Sequence, residues 1–140
     1  MFPTKLVTRP ILWELGKTFE VVTNIRQASV TDEIGVVCLE LDGKRLLLVH
    51  STPWEPRGEY VHPHSAKLDR FAEADADIVL YGHTHCQVVK RIGGVLVINP
   101  GSAGDARDSR NDRQLSCAVL DVVSEEVRLI DYQDPRYGTA

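Results

Sequence analysis

The hydrophobic and polar positions of this chain change over short distances, which predicts a protein built largely of β-strands. Turn dipeptides stand between several apolar segments, and Asp42-Gly43 and Gly93-Gly94 are typical of two-residue hairpins. The predicted strands are residues 19–23, 34–41, 45–50, 78–81, 87–91, 95–98, 115–123 and 126–132. The last two form a closing hairpin in this interpretation.

One helix is predicted between two of these strands. Ser65 is a suitable N-cap for a helix over residues 65–74, whose buried stripe would be Leu68, Phe71 and Ala72. The strand before it, at residues 46–49, is apolar on both faces and is therefore expected to be covered on both sides. A strand-helix-strand unit favours parallel strands with a right-handed crossover. We predict an α/β fold in a single domain, residues 1–140.

Three other segments are less regular. A short helix is predicted between Thr8, its cap, and Gly16, which comes just past its end. Residues 51–64 form a long loop, and we interpret Trp54 and Tyr60 as packing this loop down, with a pocket mouth as the alternative. Residues 103–114 are predicted to be a polar, mobile loop.

Histidines follow two of the predicted parallel strands. His50 ends one, and His83 and His85 come just after the other. The carboxyl ends of parallel strands meet at one edge of a sheet, where ligand sites are found, so His50 and His83 should lie side by side. In an extended backbone His83 and His85 would point to the same side. Imidazole is the commonest metal ligand, so a metal site is favoured over histidines bonded to loop carbonyls.

A second H-x-H, His62-Pro63-His64, has no buried strand before it, and we interpret it as a loop sequence without metal. The net charge of −4 gives no indication of a nucleic-acid surface. Three cysteines without C-x-x-C spacing indicate a reducing compartment and no disulfide framework. No apolar run is long enough for a membrane span, so a cytoplasmic location is expected.

Three motifs in this order, LLLVH at residues 46–50, DIVLYGHTH at 77–85 and VLVINPGS at 95–102, resemble the calcineurin-like metallophosphoesterases. The similarity is greatest to their small bacterial and archaeal phosphodiesterases and runs from about Phe19 to Tyr132. It implies an α/β/β/α sandwich of two mixed sheets, of which this chain would be the C-terminal part. It also implies hydrolysis of phosphodiesters or phosphomonoesters, with a phosphate-ester small molecule or nucleotide as substrate.

The resemblance implies two divalent metal ions, Mn²⁺ first, with Fe²⁺, Zn²⁺ or Ni²⁺ as alternatives. His50 and His83 would bind one ion and His85 the other. Asn24 is the candidate for the asparagine of the family's G-N-x-D motif, although Thr23 and Arg26 replace the motif's glycine and aspartate. Arg107 is the candidate for contacting a phosphate oxygen, a solvated surface role being the alternative.

The family's D-x-H and G-D motifs, which supply carboxylate ligands, do not occur ahead of Asn24. We therefore expect an N-terminally truncated domain, whether a fragment, a misassigned start or a decayed copy. Two hypotheses compete with a phosphoesterase that needs further ligands. One is a catalytically inactive binding or scaffolding protein that retains the fold. The other is a mononuclear site of Asn24, His50 and His83.

Overall fold

Two β-sheets make up most of the fold. The computed structural model describes residues 17–18, 24–30 and 35–134. The larger sheet has six strands in the order β1-β2-β3-β4-β6-β5, and the smaller pairs β7 with β8. The strands are β1 Asn24–Val30, β2 Gly35–Leu41, β3 Lys44–Val49, β4 Ile78–Leu80, β5 Gln87–Ile92, β6 Val95–Pro100, β7 Leu115–Leu120 and β8 Val127–Tyr132.

Both predicted two-residue hairpins are confirmed. Leu41 pairs with Lys44 across the first turn, and Ile92 pairs with Val95 across the second. Asp42 and Gly43 have φ of +48° and +75°, which is the left-handed pair that a tight hairpin of this kind requires. This local geometry fixes the antiparallel register of β2 and β3, and with it the position at which β3 ends.

The centre of the large sheet is parallel, as predicted. β4 lies between β3 and β6 and runs parallel to both. β4 and its two neighbours are covered on both faces, because successive side chains along each strand enter two different apolar clusters. On one face Val49, Val79 and Val97 pack beneath the helix, and on the other Leu46, Ile78 and Ile98 pack against the small sheet. The carboxyl ends of β3 and β4 consequently lie side by side.

The predicted helix is a 3₁₀ helix, Ala66–Glu73. Ser65 caps it, and the Ser65 Oγ accepts a hydrogen bond from the backbone N–H of Lys67 at 3.2 Å. Leu68 and Phe71 are buried, but Ala72 is exposed. The prediction for Ala72 was wrong because a 3₁₀ helix has three residues per turn, so its buried stripe repeats only at every third residue.

Other expectations are changed by the structure. Strand β1 occupies residues that the pattern did not identify as a strand. The predicted helix between Thr8 and Gly16 and the predicted strand at residues 19–23 lie outside the described residues. The small sheet contains only antiparallel pairing among the described strands, although two mixed sheets were expected. The polar loop contains a short 3₁₀ turn, Ser109–Asn111. Within the described segments, no helix is long and apolar enough to cross a membrane.

Candidate metal centre

His50 and His83 meet where β3 and β4 end. The Nε2 of His50 lies 3.0 Å from the Nδ1 of His83, and the ring centroids are 4.9 Å apart in an edge-on arrangement. The backbone holds this pair, since the N–H of Gly82 donates to the carbonyl of His50 at 3.1 Å. The prediction that the two histidines emerge side by side is confirmed.

The turn that carries His83 and His85 is not extended. Both residues have positive φ, +68° and +58°, in the left-handed region that side chains other than glycine rarely adopt. Such conformations cost about 1–3 kcal/mol each and concentrate at functional sites. The expectation that the two imidazoles lie on one side of a strand was therefore wrong. His83 contacts His50, whereas His85 contacts the loop that follows β6.

Asn99, the first residue of the N-P-G-S motif, holds this turn in place. Its side chain is completely buried. Its Nδ2 donates to the carbonyl of Gly82 at 3.0 Å and to the Oγ1 of Thr84 at 3.1 Å. Its Oδ1 accepts from the N–H of Gly101 at 3.0 Å. The sequence analysis included Asn99 only in the motif at residues 95–102 and missed this role, although its place at the end of a buried strand was a usable signal.

The same motif anchors the two sheets to each other. Gly101 has φ of +85°, and a Cβ built there would lie 1.9 Å from the Oγ of Ser116, so no other residue fits. The N–H of Ser116 donates to the carbonyl of Ser102 at 2.8 Å. The loop after β6 therefore begins at a position that backbone contacts with β7 fix.

His85 is held by this loop. Its Nδ1 lies 3.0 Å from the backbone carbonyl oxygen of Asp105 and 3.2 Å from the Asp105 Oδ2. Arg107 donates to the same carboxylate oxygen, from Nε at 2.8 Å and from Nη2 at 2.7 Å. The Arg107 guanidinium lowers the pKa of Asp105, which keeps the carboxylate ionised at neutral pH. Arg107 is thus placed beside His85, and its side chain is 59% exposed.

A buried carboxylate holds the other side of the histidine turn. Asp108 is 3% exposed, and its Oδ2 accepts from the N–H of Gln87 at 2.8 Å, two residues after His85. The Arg110 guanidinium donates to both oxygens, at 2.9 Å and 2.6 Å. Arg110 is the main cause that lowers the pKa of Asp108 to about 2, so this carboxylate stays charged. Both aspartates lay in a polar loop that sequence reasoning could not interpret.

The loop of residues 51–64 places an aromatic ring next to the histidine pair. Glu59 accepts from Trp54 Nε1 at 2.8 Å, and the carbonyl of buried Val61 accepts from Tyr81 OH at 3.1 Å. Between them Tyr60 is 55% exposed, with its ring centroid 4.1 Å from that of His83. The prediction that Trp54 packs the loop down is confirmed by its contact with Phe71. The same prediction for Tyr60 was wrong, because its ring is exposed.

The electrostatic environment favours neutral imidazoles. Burial lowers the pKa of His50, and the neighbouring His83 and His85 lower it further. Burial is the main cause that lowers the pKa of His83, and together with His85 it outweighs a hydrogen bond to the backbone at Gly58 that raises this pKa. Because an unperturbed imidazole has a pKa of about 6.5, both rings are mostly neutral at pH 7, the form that binds metals.

The histidine pair fits a divalent metal in kind and spacing. Two nitrogens that bind one ion at about 2.0–2.1 Å stand about 2.9 Å apart when their bonds to the ion are at right angles and about 3.3 Å apart in a tetrahedral site. The 3.0 Å between His50 and His83 lies in this range, and without an ion it is the length of a hydrogen bond between the two rings. Within the described residues, however, no group of three or more His, Cys, Asp or Glu side chains is arranged to hold an ion. The histidines therefore fit as part of a larger ligand set.

Asn24 is not brought to the histidines. It pairs with Glu40, which pairs with Arg45 near the beginning of β3. His50 follows the far end of that strand, five residues on, which corresponds to about 16 Å of extended chain. The predicted contribution of Asn24 is not supported, because the register of β1 against β2 puts Asn24 at the opposite edge of the sheet.

Comparison with protein families gives a match over most of the chain. Residues 21–125 match the calcineurin-like phosphoesterase superfamily domain. A search among curated proteins found no significant match. A hypothetical protein from Pyrococcus horikoshii shares the fold, with a TM-score of 0.59 at 16% identity over 72% of this chain and 41% of that chain.

Two further solved structures overlap less closely. One is an archaeal phosphodiesterase, 25% identical over 69% of this chain and 50% of that chain, with a TM-score of 0.47. The other is Vps29 of Entamoeba histolytica complexed with Zn²⁺, 24% identical over 69% of this chain and 59% of that chain, with a TM-score of 0.40. The chain spans about half the length of the solved structures that it resembles.

Proposed function

The chain belongs to the calcineurin-like phosphoesterase superfamily, and we propose that it forms part of a metal-dependent phosphoesterase site. The observation that supports this most strongly is the pair His50 and His83, two neutral imidazoles with nitrogens 3.0 Å apart at the carboxyl edge of the sheet. His85, held separately by the loop after β6, is proposed as a ligand of a second ion.

The divalent ions, when bound, supply activation of a water molecule and neutralisation of charge on the phosphorus oxygens. The residues of this chain would bind the ions and orient the ester. His50 and His83 would present neutral nitrogen ligands once the proton of the hydrogen bond between them moves to an outer ring nitrogen. Tyr60 forms a wall beside them that suits an aryl or nucleoside part of an ester. Arg107 remains a proposed phosphate contact, since its exposed guanidinium has donors beyond those that bind Asp105.

Hydrolysis of bis-p-nitrophenyl phosphate with Mn²⁺ tests this proposal. The 140-residue chain is compared with an extended form, in which a segment carrying the family's D-x-H and G-D motifs is added ahead of it. We expect activity from the extended form and little from the shorter one, because the described residues offer an incomplete ligand set. Equal inactivity of both forms would contradict the proposal.

His83→Gly, made in the extended form, is the matched inactive variant for this assay. Glycine adopts a φ of +68° without strain, so the substitution removes the imidazole while the turn is retained. His64→Gly, in the exposed H-x-H of the loop, is the control. The proposal requires that the first variant lose Mn²⁺-dependent activity and that the second keep it.

One observation favours a second function, that of a binding or scaffolding protein that retains the fold. The described residues contain no group of three or more metal-binding side chains of the usual kinds. For such a protein, folding would be complete without metal. Calorimetric unfolding in EDTA and in Zn²⁺ distinguishes the two, because a protein that binds the ion only in its folded state unfolds at a higher temperature when Zn²⁺ is present.

A further inference from the structure

Asp105 meets His85 through two atoms, and both are acceptors. One is the backbone carbonyl oxygen at 3.0 Å from Nδ1, and the other is the carboxylate Oδ2 at 3.2 Å. Oδ2 also accepts two hydrogen bonds from Arg107, so it carries no proton to offer. Hence the hydrogen in this contact belongs to His85, and Nδ1 is the donor.

The loop holds Asp105 in this position from both sides. The N–H of Asp105 donates to the Oγ of Ser102 at 2.9 Å, and the N–H of Gly104 donates to the same oxygen at 3.3 Å. Arg107 fixes the carboxylate from the other side. Ser102 itself donates its backbone N–H to the Oγ of Ser116 at 3.3 Å. The acceptor pair is therefore set by the fold before any ligand arrives.

A neutral imidazole with hydrogen on Nδ1 keeps its lone pair on Nε2. We propose that Asp105 is a positioning residue that fixes His85 in the Nδ1–H tautomer and leaves Nε2 free to bind a divalent metal, with Arg107 holding the Asp105 carboxylate. Partners of this kind orient metal-binding histidines and raise their basicity. The metal part of this inference rests on the proposed function, whereas the tautomer follows from the contacts alone.

Nitrogen-15 NMR of histidine-labelled protein tests the tautomer without metal. The spectra are recorded well above the ordinary imidazole pKa of about 6.5, and long-range proton couplings distinguish the two neutral tautomers. We expect His85 to be in the Nδ1–H form. Asp105→Ala should lower the population of that form and speed exchange of the Nδ1 proton with water, since only the backbone acceptor remains. Asp105→Asn should restore much of both, because its amide oxygen still accepts.

Asp112→Asn is the control, since it removes one negative charge from an exposed aspartate of the same loop and asparagine tolerates the φ of +56° there. It should leave His85 unchanged. The inference is overturned if the unaltered protein has its proton on His85 Nε2. It is equally overturned if Asp105→Ala changes neither the tautomer population nor the exchange rate.

Titration with Zn²⁺, followed at the His85 Nε2 resonance, tests the metal part. Asp105→Ala should weaken Zn²⁺ binding at this nitrogen by about 10- to 100-fold, and Asp105→Asn by less. Unchanged affinity in Asp105→Ala would refute positioning while leaving the proposed function intact. A different outcome is that the tautomer depends on Asp105 but Zn²⁺ does not bind at His85 Nε2, either in the 140-residue chain or in the extended form. In that case the proposed function and the metal part of this inference both fail.

Discussion

Replacing Asn99 with alanine should loosen the turn that presents His83. The substitution removes three hydrogen bonds, two to the turn at Gly82 and Thr84 and one to Gly101. Each contributes about 1 kcal/mol net, so the free energy of unfolding should fall by about 3 kcal/mol. Since the Asn99 side chain is fully buried, water cannot replace these bonds without entering the core. A domain of ordinary stability, about 5–15 kcal/mol, would remain folded.

Urea unfolding followed by tryptophan fluorescence measures the loss in stability. Asn111→Ala is the matched control, because Asn111 also forms three hydrogen bonds but is only half-buried. Water can replace the hydrogen bonds of this half-buried side chain, so we expect the free energy of unfolding to fall by about 1 kcal/mol or less. If Asn99→Ala costs no more than Asn111→Ala, the turn does not depend on this buried amide, and the reasoning is refuted. Histidine NMR should also show the His50–His83 contact broken only in the Asn99 variant.

Two further predictions concern Asp108 and Tyr60. The Asp108 carboxyl has a folded pKa of about 2 against an ordinary 3.8, so its contribution to stability, about 2 kcal/mol, is present above pH 3.8 and is lost as the pH falls towards 2. Asp108→Asn should therefore destabilise the protein at pH 7 but not near pH 2, and equal destabilisation at both values would exclude the charge as the cause. In a form that hydrolyses aryl phosphodiesters, Tyr60→Ala should raise KM for bis-p-nitrophenyl phosphate roughly fivefold through lost ring contact, and Tyr60→Phe should not. Equal effects on a dialkyl ester would contradict stacking.

Much of the fold near the histidines could be predicted from local pattern. Asp42-Gly43 determines a tight hairpin because few dipeptides accept left-handed φ twice in succession. The fully apolar segment 46–49 predicts a strand covered on both faces, and it is one. Parallel strands end at a common edge, so His50 and His83 could be placed together without any knowledge of the rest of the chain.

Other site residues escaped prediction because their roles depend on partners far along the chain. Asn24 was chosen for its place in a motif, yet the pairing of β1 with β2 puts it at the opposite edge of the sheet. Tyr60 was interpreted as a packing residue, but the bonds that hold Glu59 and Val61 leave its ring exposed. Such outcomes follow from register and loop anchoring, which hydrophobic periodicity does not encode.

The sequence by itself determined where His50 and His83 lie, since both follow parallel strands that end at one edge of the sheet, whereas the direction of His85 was not predictable. Tertiary structure alone decided what holds them. Asn99 and Asp105 come from beyond β5 and reach the histidine turn only because β6 lies beside β4 and ends at the same edge. A buried polar side chain is useful only when it meets its partners in space. The identity of those partners is therefore a property of the folded sheet and not of the local sequence.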